Sequence, residues 1–366
     1  MKVIVPKDHG ATDVLREEEA SIVVRPHRFP RDTYPSLWFY FQVVNDTGRD
    51  LPHAQIVVEE LKQGHDSYEP FWKHCLWSRD GVRWERIPDS AQRFGETTLT
   101  IETSLKVNES RWIAETFPLP YAHYLRLCDD VSAPRWKLGD SAQGRPIFAF
   151  HVQSGQGATK RNVLLIAGQH AVEQSGKIFA ETILRGYHSG AFAGTVMEEL
   201  LKTHNVFVVP LANPDGCYDG RMNTNAEGVV MDDPSDNAIE TLAILDLIDE
   251  LHPRVLINCH GWGNEQGTPP YEDIYRWTDE DALFAYLRTR VPGCSTSKFP
   301  HWLADRFRLE GHARERYGTE CIITELNWNC YVPPDGSLPR LPTLEDIQAR
   351  AVEYFTAIAQ FCLESS

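Results

Sequence analysis

The sequence lacks several features that would assign it to common classes. No stretch approaches the ~20 uninterrupted apolar residues that a membrane-crossing helix requires, so no membrane partner is expected. The first residues, MKVIVPKDHG, soon reach a proline and charges. They show no secretory pattern, and the reading is of a cytoplasmic protein. Positive charge is in deficit: 36 lysines and arginines face 52 aspartates and glutamates, a formal net charge of −16. Phosphate recognition needs a concentrated cationic face, so a nucleic-acid partner is not expected. The eight cysteines, at 75, 128, 217, 259, 294, 321, 330 and 362, include no C-x-x-C pair. This argues against a cysteine-built zinc site or a thioredoxin-like centre, and reduced thiols, several of them buried, are expected. No G-x-S-x-G elbow occurs, which argues against a serine hydrolase of that type. The one glycine-rich loop, 154–160, lacks the Gly-Lys-Ser/Thr ending of a phosphate loop and precedes a strand; it reads as a turn.

A chain of 366 residues, 42% hydrophobic and 24% charged, suits two globular domains. Before residue 120 no segment has a helical period. Ser21–Val24, Leu37–Val44, Gln55–Glu59, Thr97–Thr103 and Arg111–Glu115 are β-branched, aromatic or alternating, with turn chemistry at 45–48 and 78–81. The spacing predicts a small antiparallel β-sandwich over residues 1–120. From Tyr121 to the end, 121–366, strands and helices alternate. Strands are predicted at Asn162–Ala167, Asn205–Pro210 and Val255–Cys259, and helices at Gln174–Tyr187 and Ala238–Leu251. That order indicates an α/β domain with a largely parallel sheet.

Reactive side chains appear where three apolar strands end. One strand runs out at Gly168, and His170 and Glu173 follow. A second delivers His260 into a glycine-flanked loop, and a third delivers Glu325. Open α/β sheets bind ligands beyond the carboxyl ends of their strands, so the three deliveries can converge. Two imidazoles and one carboxylate form a catalytic zinc set with a fourth position left for water. Glu325 could take the proton of that water. Arg221 is the candidate cation for a developing oxyanion. H-x-x-E by itself is a weak signal, because it recurs at His312–Glu315. That copy lies in the arginine-rich segment Leu303–Tyr317, which reads as a solvated helix surface. A lone histidine after a strand is also more often a packed residue than a ligand; the joint appearance of the three motifs carries the case.

The pattern resembles the zinc carboxypeptidases of the carboxypeptidase A type, and within them the cytosolic carboxypeptidase-like branch with an N-terminal β-sandwich. The likeness rests on Gly139-Asp-Ser-Ala-Gln-Gly-Arg-Pro-Ile147, His170-x-x-Glu173, Asn213-Pro-Asp-Gly216, the helix from Ile239 with the strand into His260, and Ile323-Thr-Glu325. The resemblance implies an α/β/α sandwich on a mixed eight-stranded sheet. It also implies zinc on His170, Glu173 and His260, Glu325 as general base and Arg221 at the scissile carbonyl. One departure stands out. Where the family has Gly-Val-Asp-Leu-Asn-Arg, with its Asn-Arg grip on a C-terminal carboxylate, this chain has Gly228-Val-Val-Met-Asp-Asp233. Anions at Asp232 and Asp233 would repel a carboxylate. They are expected either to bind a cationic or neutral substrate group or, with a shifted loop, to replace the aspartate that orients a zinc histidine. The family's mobile tyrosine has three conceivable matches, Tyr271, Tyr275 and Tyr317.

The resulting expectation is a zinc metallopeptidase of metallocarboxypeptidase type acting on a peptide or a small amide-bearing substrate. An amidase or deacylase, or a non-catalytic binding protein on the same fold, are the alternatives. No oligomeric state follows from the sequence.

Overall fold

The computed structural model of the protein describes residues 1–32, 38–61, 75–153, 160–233, 237–261, 273–275, 281–292, 294, 308–328, 331, 337 and 340–365. The expected turn at 154–159 and the start of the expected strand at Leu37 lie outside the described residues.

Residues 2–114 form two five-stranded sheets. One runs, in spatial order, Lys2–Ile4, Tyr40–Val44, Ser110–Ala114, Leu76–Ser78 and Glu85–Arg86; the other Thr12–Glu17, Ser21–Pro26, Leu51–Val58, Leu99–Leu105 and Gln92–Phe94. Alternate residues of both sheets, among them Val3, Phe41, Ile113, Val24, Ile56 and Ile101, point into one shared core. This is the sandwich expected from period-two patterning, with one difference. Ser21–Pro26 and Leu51–Val58 pair in parallel, so the sandwich is not wholly antiparallel.

The second part is built on a mixed sheet in the order Arg135–Asp140, Pro146–Val152, His204–Val209, Arg161–Ala167, Val255–His260, Glu320–Glu325 and Asp273–Tyr275. That is seven strands among the described residues, against the eight implied by the resemblance. The four central strands are parallel and the flanking ones antiparallel. Both faces are covered. Val163, Leu165, Val206, Val208 and Ile257 pack under the helices Gln174–Ser189, Val196–Thr203 and Leu344–Glu364. Leu164, Ile166, Phe207 and Leu256 pack under Ile239–Leu251 and Arg308–Tyr317. A strand buried on both faces must be apolar throughout, hence the unbroken run at Val163–Ala167.

The helix Arg308–Tyr317 corrects the expectation of a solvated surface. Its face Leu309, Glu310 and Ala313 is buried, while its arginines and Glu315 occupy the other positions. No described helix is long and apolar enough to cross a membrane. Among the described residues no cysteine is paired with another: six are buried and Cys294 is half-buried. Cys330 lies outside them.

Sandwich and sheet meet over a small apolar cluster, Trp38, Tyr40, Ala114, Val172 and Met222. His9 is fully buried at this seam. Its Nδ1 lies 2.6 Å from the Cys217 carbonyl and its Nε2 2.9 Å from Gln174 Nε2. Asp8 receives the Tyr121 and Ala122 amides at 2.8 and 2.7 Å, supplying the cap that Pro120 cannot give the helix Tyr121–Asp130. Arg86 donates to the Pro342 and Trp328 carbonyls at 2.9 and 3.3 Å. Near it, burial pushes the Glu115 carboxyl up to about 8, and the Arg86 charge opposes this without cancelling it. The folded protein therefore holds a proton that the unfolded chain releases near its ordinary value of 4.5. Stability contributed by this group is present below that value and is lost as pH rises to about 8. Chemical denaturation from pH 5 to 8 is expected to show that decline, roughly 4 kcal/mol at most. Glu115→Gln should flatten it; an unchanged slope in the variant would assign the decline to other groups.

Candidate metal centre

The sheet changes direction beside Arg161–Ala167: the chain first moves to His204–Val209 on one side, then crosses to Val255–His260 on the other. A crevice opens at such a switch point, because the loops leaving the two adjacent strands diverge to opposite faces. His170 and Glu173 follow the first strand, and His260 ends the second. The helix beginning at Gln174 lies so close to the second strand that a Cβ on Gly176 would collide with the Cys259 carbonyl. Only glycine permits the approach that brings Glu173 to His260.

The three side chains meet. Glu173 Oε1 lies 2.8 Å from His170 Nδ1, and Glu173 Oε2 lies 2.8 Å from His260 Nδ1. Gly261 N donates to the same Oε2 at 3.2 Å. The imidazole centroids are 4.6 Å apart and nearly perpendicular. All three residues are buried, and one ligand atom from each lies within 4.8 Å of the others. No second cluster of three such ligands occurs among the described residues, and His312 is instead held 2.5 Å from Asp249.

Burial acts to raise Glu173, but the two imidazoles outweigh it and draw the carboxyl down to about 2. Burial likewise acts to lower His170, and Glu173 and Asp232 overcome it, leaving the imidazole well above its ordinary value. The pocket is thus arranged to hold positive charge beside the Glu173 and Asp232 carboxylates. Two nitrogens and one oxygen suit zinc, whose bond lengths of ~2.1 Å would set tetrahedral ligand atoms about 3.4 Å apart. The ligand atoms of the cluster lie within 4.8 Å of one another, close enough for small side-chain shifts to bring them to that spacing, and a set of two nitrogens and one oxygen fits the ion.

Asp232 is buried with Oδ2 3.4 Å from His170 Nε2. Of the two roles left open by the sequence, this position suits a carboxylate orienting a histidine, not one facing a substrate. Asp233 is half-buried. Glu325 is half-buried at the end of its strand, in register with His260 on the adjacent parallel strand. Residues in register lean to the same face, about 4.8 Å apart. Arg221 follows the short helix Pro214–Asp219. Its Nε donates to Asp219 Oδ2 at 2.9 Å, and its guanidinium lies 4.4 Å from the Phe29 ring centre. Tyr317 donates to Asp249 at 2.7 Å and stacks on His252. Both it and His252 precede their strands, at the opposite edge of the sheet from His260, which removes Tyr317 as the mobile tyrosine. Tyr271 and the Tyr275 side chain lie outside the described residues.

The remaining motifs form the frame. Asn213 caps the helix through Gly216 N at 2.8 Å and donates to the Thr224 carbonyl at 3.0 Å. Asp215 takes the Ser141 hydroxyl, the Gln143 amide and Arg145 Nη1 at 2.7, 2.8 and 2.5 Å. The segment 139–147 and the Asn-Pro-Asp-Gly turn thus hold each other. A ladder unforeseen in the sequence lies behind His260: Asn258 donates to Gln169 Oε1 and to Glu310 Oε1 at 2.8 and 2.6 Å. Burial pushes Glu310 above the usual carboxylate range. Its only sequence signal was a glutamate three residues before Ala313, on the face that Leu309 and Ala313 mark.

Residues 133–229 match the model of the zinc carboxypeptidase family. Over these residues the resemblance to zinc carboxypeptidases read from the motifs holds; the narrower placement in the cytosolic carboxypeptidase-like branch goes beyond the match. The zinc carboxypeptidase match takes in His170, Glu173 and Arg221 and ends before His260 and Glu325. In fold, the whole chain is similar to a metallo-carboxypeptidase from Burkholderia cenocepacia, with 22% identity, TM-score 0.81, and coverage of 100% of this chain and 99% of that one. It is also similar to a metallo-carboxypeptidase from Pseudomonas aeruginosa in complex with (2-guanidinoethylmercapto)succinic acid, with 18% identity, TM-score 0.78, and coverage of 99% of each.

Proposed function

We propose that this protein is a zinc-dependent metallohydrolase of carboxypeptidase type, cleaving an amide bond, with a sandwich domain at 1–120 and a catalytic domain at 121–366. The observation that carries the reading is the buried meeting of His170, Glu173 and His260, with Glu325 in register beside them. Zinc, when bound, supplies Lewis acidity that makes water a nucleophile near neutral pH and polarises a carbonyl. His170, Glu173 and His260 hold it, and Asp232 orients the His170 ring. Glu325 accepts the proton of the attacking water and returns it to the leaving amine. Arg221 donates to the oxygen on which negative charge develops.

The absence of the family's Asn-Arg pair, with Asp233 where the arginine would stand, favours a second reading on the same machinery: an amidase or deacylase whose substrate offers no carboxylate. Metal analysis of the purified protein, with hydrolysis of matched peptides bearing free and amidated C-termini and of acyl amides, tests both. About one zinc per chain and cleavage of at least one substrate class is expected. Strong preference for the free carboxylate would discard the amidase reading, and zinc-loaded protein inert to the whole panel would discard hydrolysis.

A further inference from the structure

The sandwich reaches across the seam to the loop that carries Arg221. Phe29 lies against the Arg221 guanidinium. Asp32 accepts from Met222 N at 3.1 Å, Thr224 N at 3.2 Å and the Thr224 hydroxyl at 2.5 Å, and the Arg221 charge acts on the same carboxylate. On its other side the loop is tied to the metal-binding segment, because Ala171 N, the residue after His170, donates to the Met222 carbonyl at 3.0 Å. Asn223 O in turn receives Met231 N at 2.9 Å, next to Asp232. Met222 is therefore held by a sandwich carboxylate at its N–H and by the metal loop at its carbonyl. Met222 and Thr224 are themselves buried. Without Asp32 their amides would lose an ionised acceptor in a place where an unsatisfied donor is costly.

We propose that Asp32 is a positioning residue of the candidate active site: the sandwich, through this carboxylate and the Phe29 ring, sets the backbone of 222–224 and so the placement of Arg221. The inference rests on the reading of Arg221 as the oxyanion partner. It makes the sandwich part of the catalytic frame, since the residues concerned are more than 190 positions apart in sequence for Asp32 and Thr224. A merely cohesive contact would affect stability alone; a positioning contact alters the loop and the transition state.

The test compares Asp32→Ala, Asp32→Asn, Arg221→Ala and the double variant Asp32→Ala/Arg221→Ala in the full chain. In zinc-free protein, amide exchange across 219–231 should accelerate about tenfold or more in Asp32→Ala, with the rest of the sheet unchanged. In zinc-loaded protein, kcat should fall about tenfold or more, with KM and zinc content near wild type. Asp32→Asn, which keeps one acceptor oxygen, should recover part of both. In the Arg221→Ala background Asp32→Ala should cost less than about twofold more, because the two act as a unit. Unchanged exchange in 219–231, or effects that multiply independently, would overturn the proposal. If Asp32→Ala does not fold, the same exchange comparison on Asp32→Asn decides. A wild-type protein inert to every substrate would sink the hydrolase reading and not this one, which the exchange data then judge for the loop alone.

Discussion

Replacing Glu325 by glutamine is expected to lower kcat by about a thousandfold while zinc content stays at the wild-type level. The two carboxylate oxygens become an amide of nearly the same shape, so the strand Glu320–Glu325 and its register with Val255–His260 have no reason to move. What is lost is proton-accepting capacity beside the metal cluster. KM should change little, because the group acts on the proton of the nucleophile and not on substrate affinity. Measuring kcat, KM and bound zinc on the same preparation checks the claim. Activity within about tenfold of wild type would give the proton transfer to another group, or to water alone.

Glu173→Ala should have the larger effect on the molecule itself. This carboxylate is the common partner of His170 Nδ1, His260 Nδ1 and Gly261 N, and it is buried. Removing it strips the buried imidazoles of the charge that compensates their desolvation, which costs about 3–5 kcal/mol when a buried pair is broken. It also removes one of three metal ligands, so zinc affinity should fall more than about 100-fold and hydrolysis with it. Thermal unfolding with and without zinc separates the two effects: the variant unfolds earlier in both states and gains almost nothing from added metal. A variant that binds zinc at wild-type affinity would remove Glu173 from the ligand set, and with it the central argument for the site.

Much of this centre was legible because it is built from local patterns. An apolar run that stops at Gly168, with His170 and Glu173 behind it, announces a buried parallel strand and what it delivers; the runs into His260 and Glu325 do the same. Parallel strands buried on both faces have little freedom except at their carboxyl ends, so a polar residue there faces a crevice. Over Arg308–Tyr317 the expectation of a solvated surface fails for the converse reason. A count of arginines around the helix outweighed Leu309 and Ala313, which mark a buried face, and Glu310 went in with them under the cover of Asn258. The strands Thr12–Glu17 and Leu76–Ser78 were not anticipated either. The first is mostly exposed and the second is three residues long, and neither pattern is distinctive at that length.

Composition, periodicity and the order of motifs by themselves determined a sandwich followed by an α/β sheet, and the identity of the three residues that meet at its switch point. Only the tertiary structure decided that Asp232 turns to His170 and that Tyr317 sits at the far edge of the sheet. It alone put Asp32 and Phe29 on the arginine loop. The physical reason is range: strand and helix patterns are set by neighbours a few positions away, whereas the partner of a buried carboxylate is chosen by packing between segments that the chain keeps far apart. Asp32 carries no mark of its role until the sandwich closes over Met222.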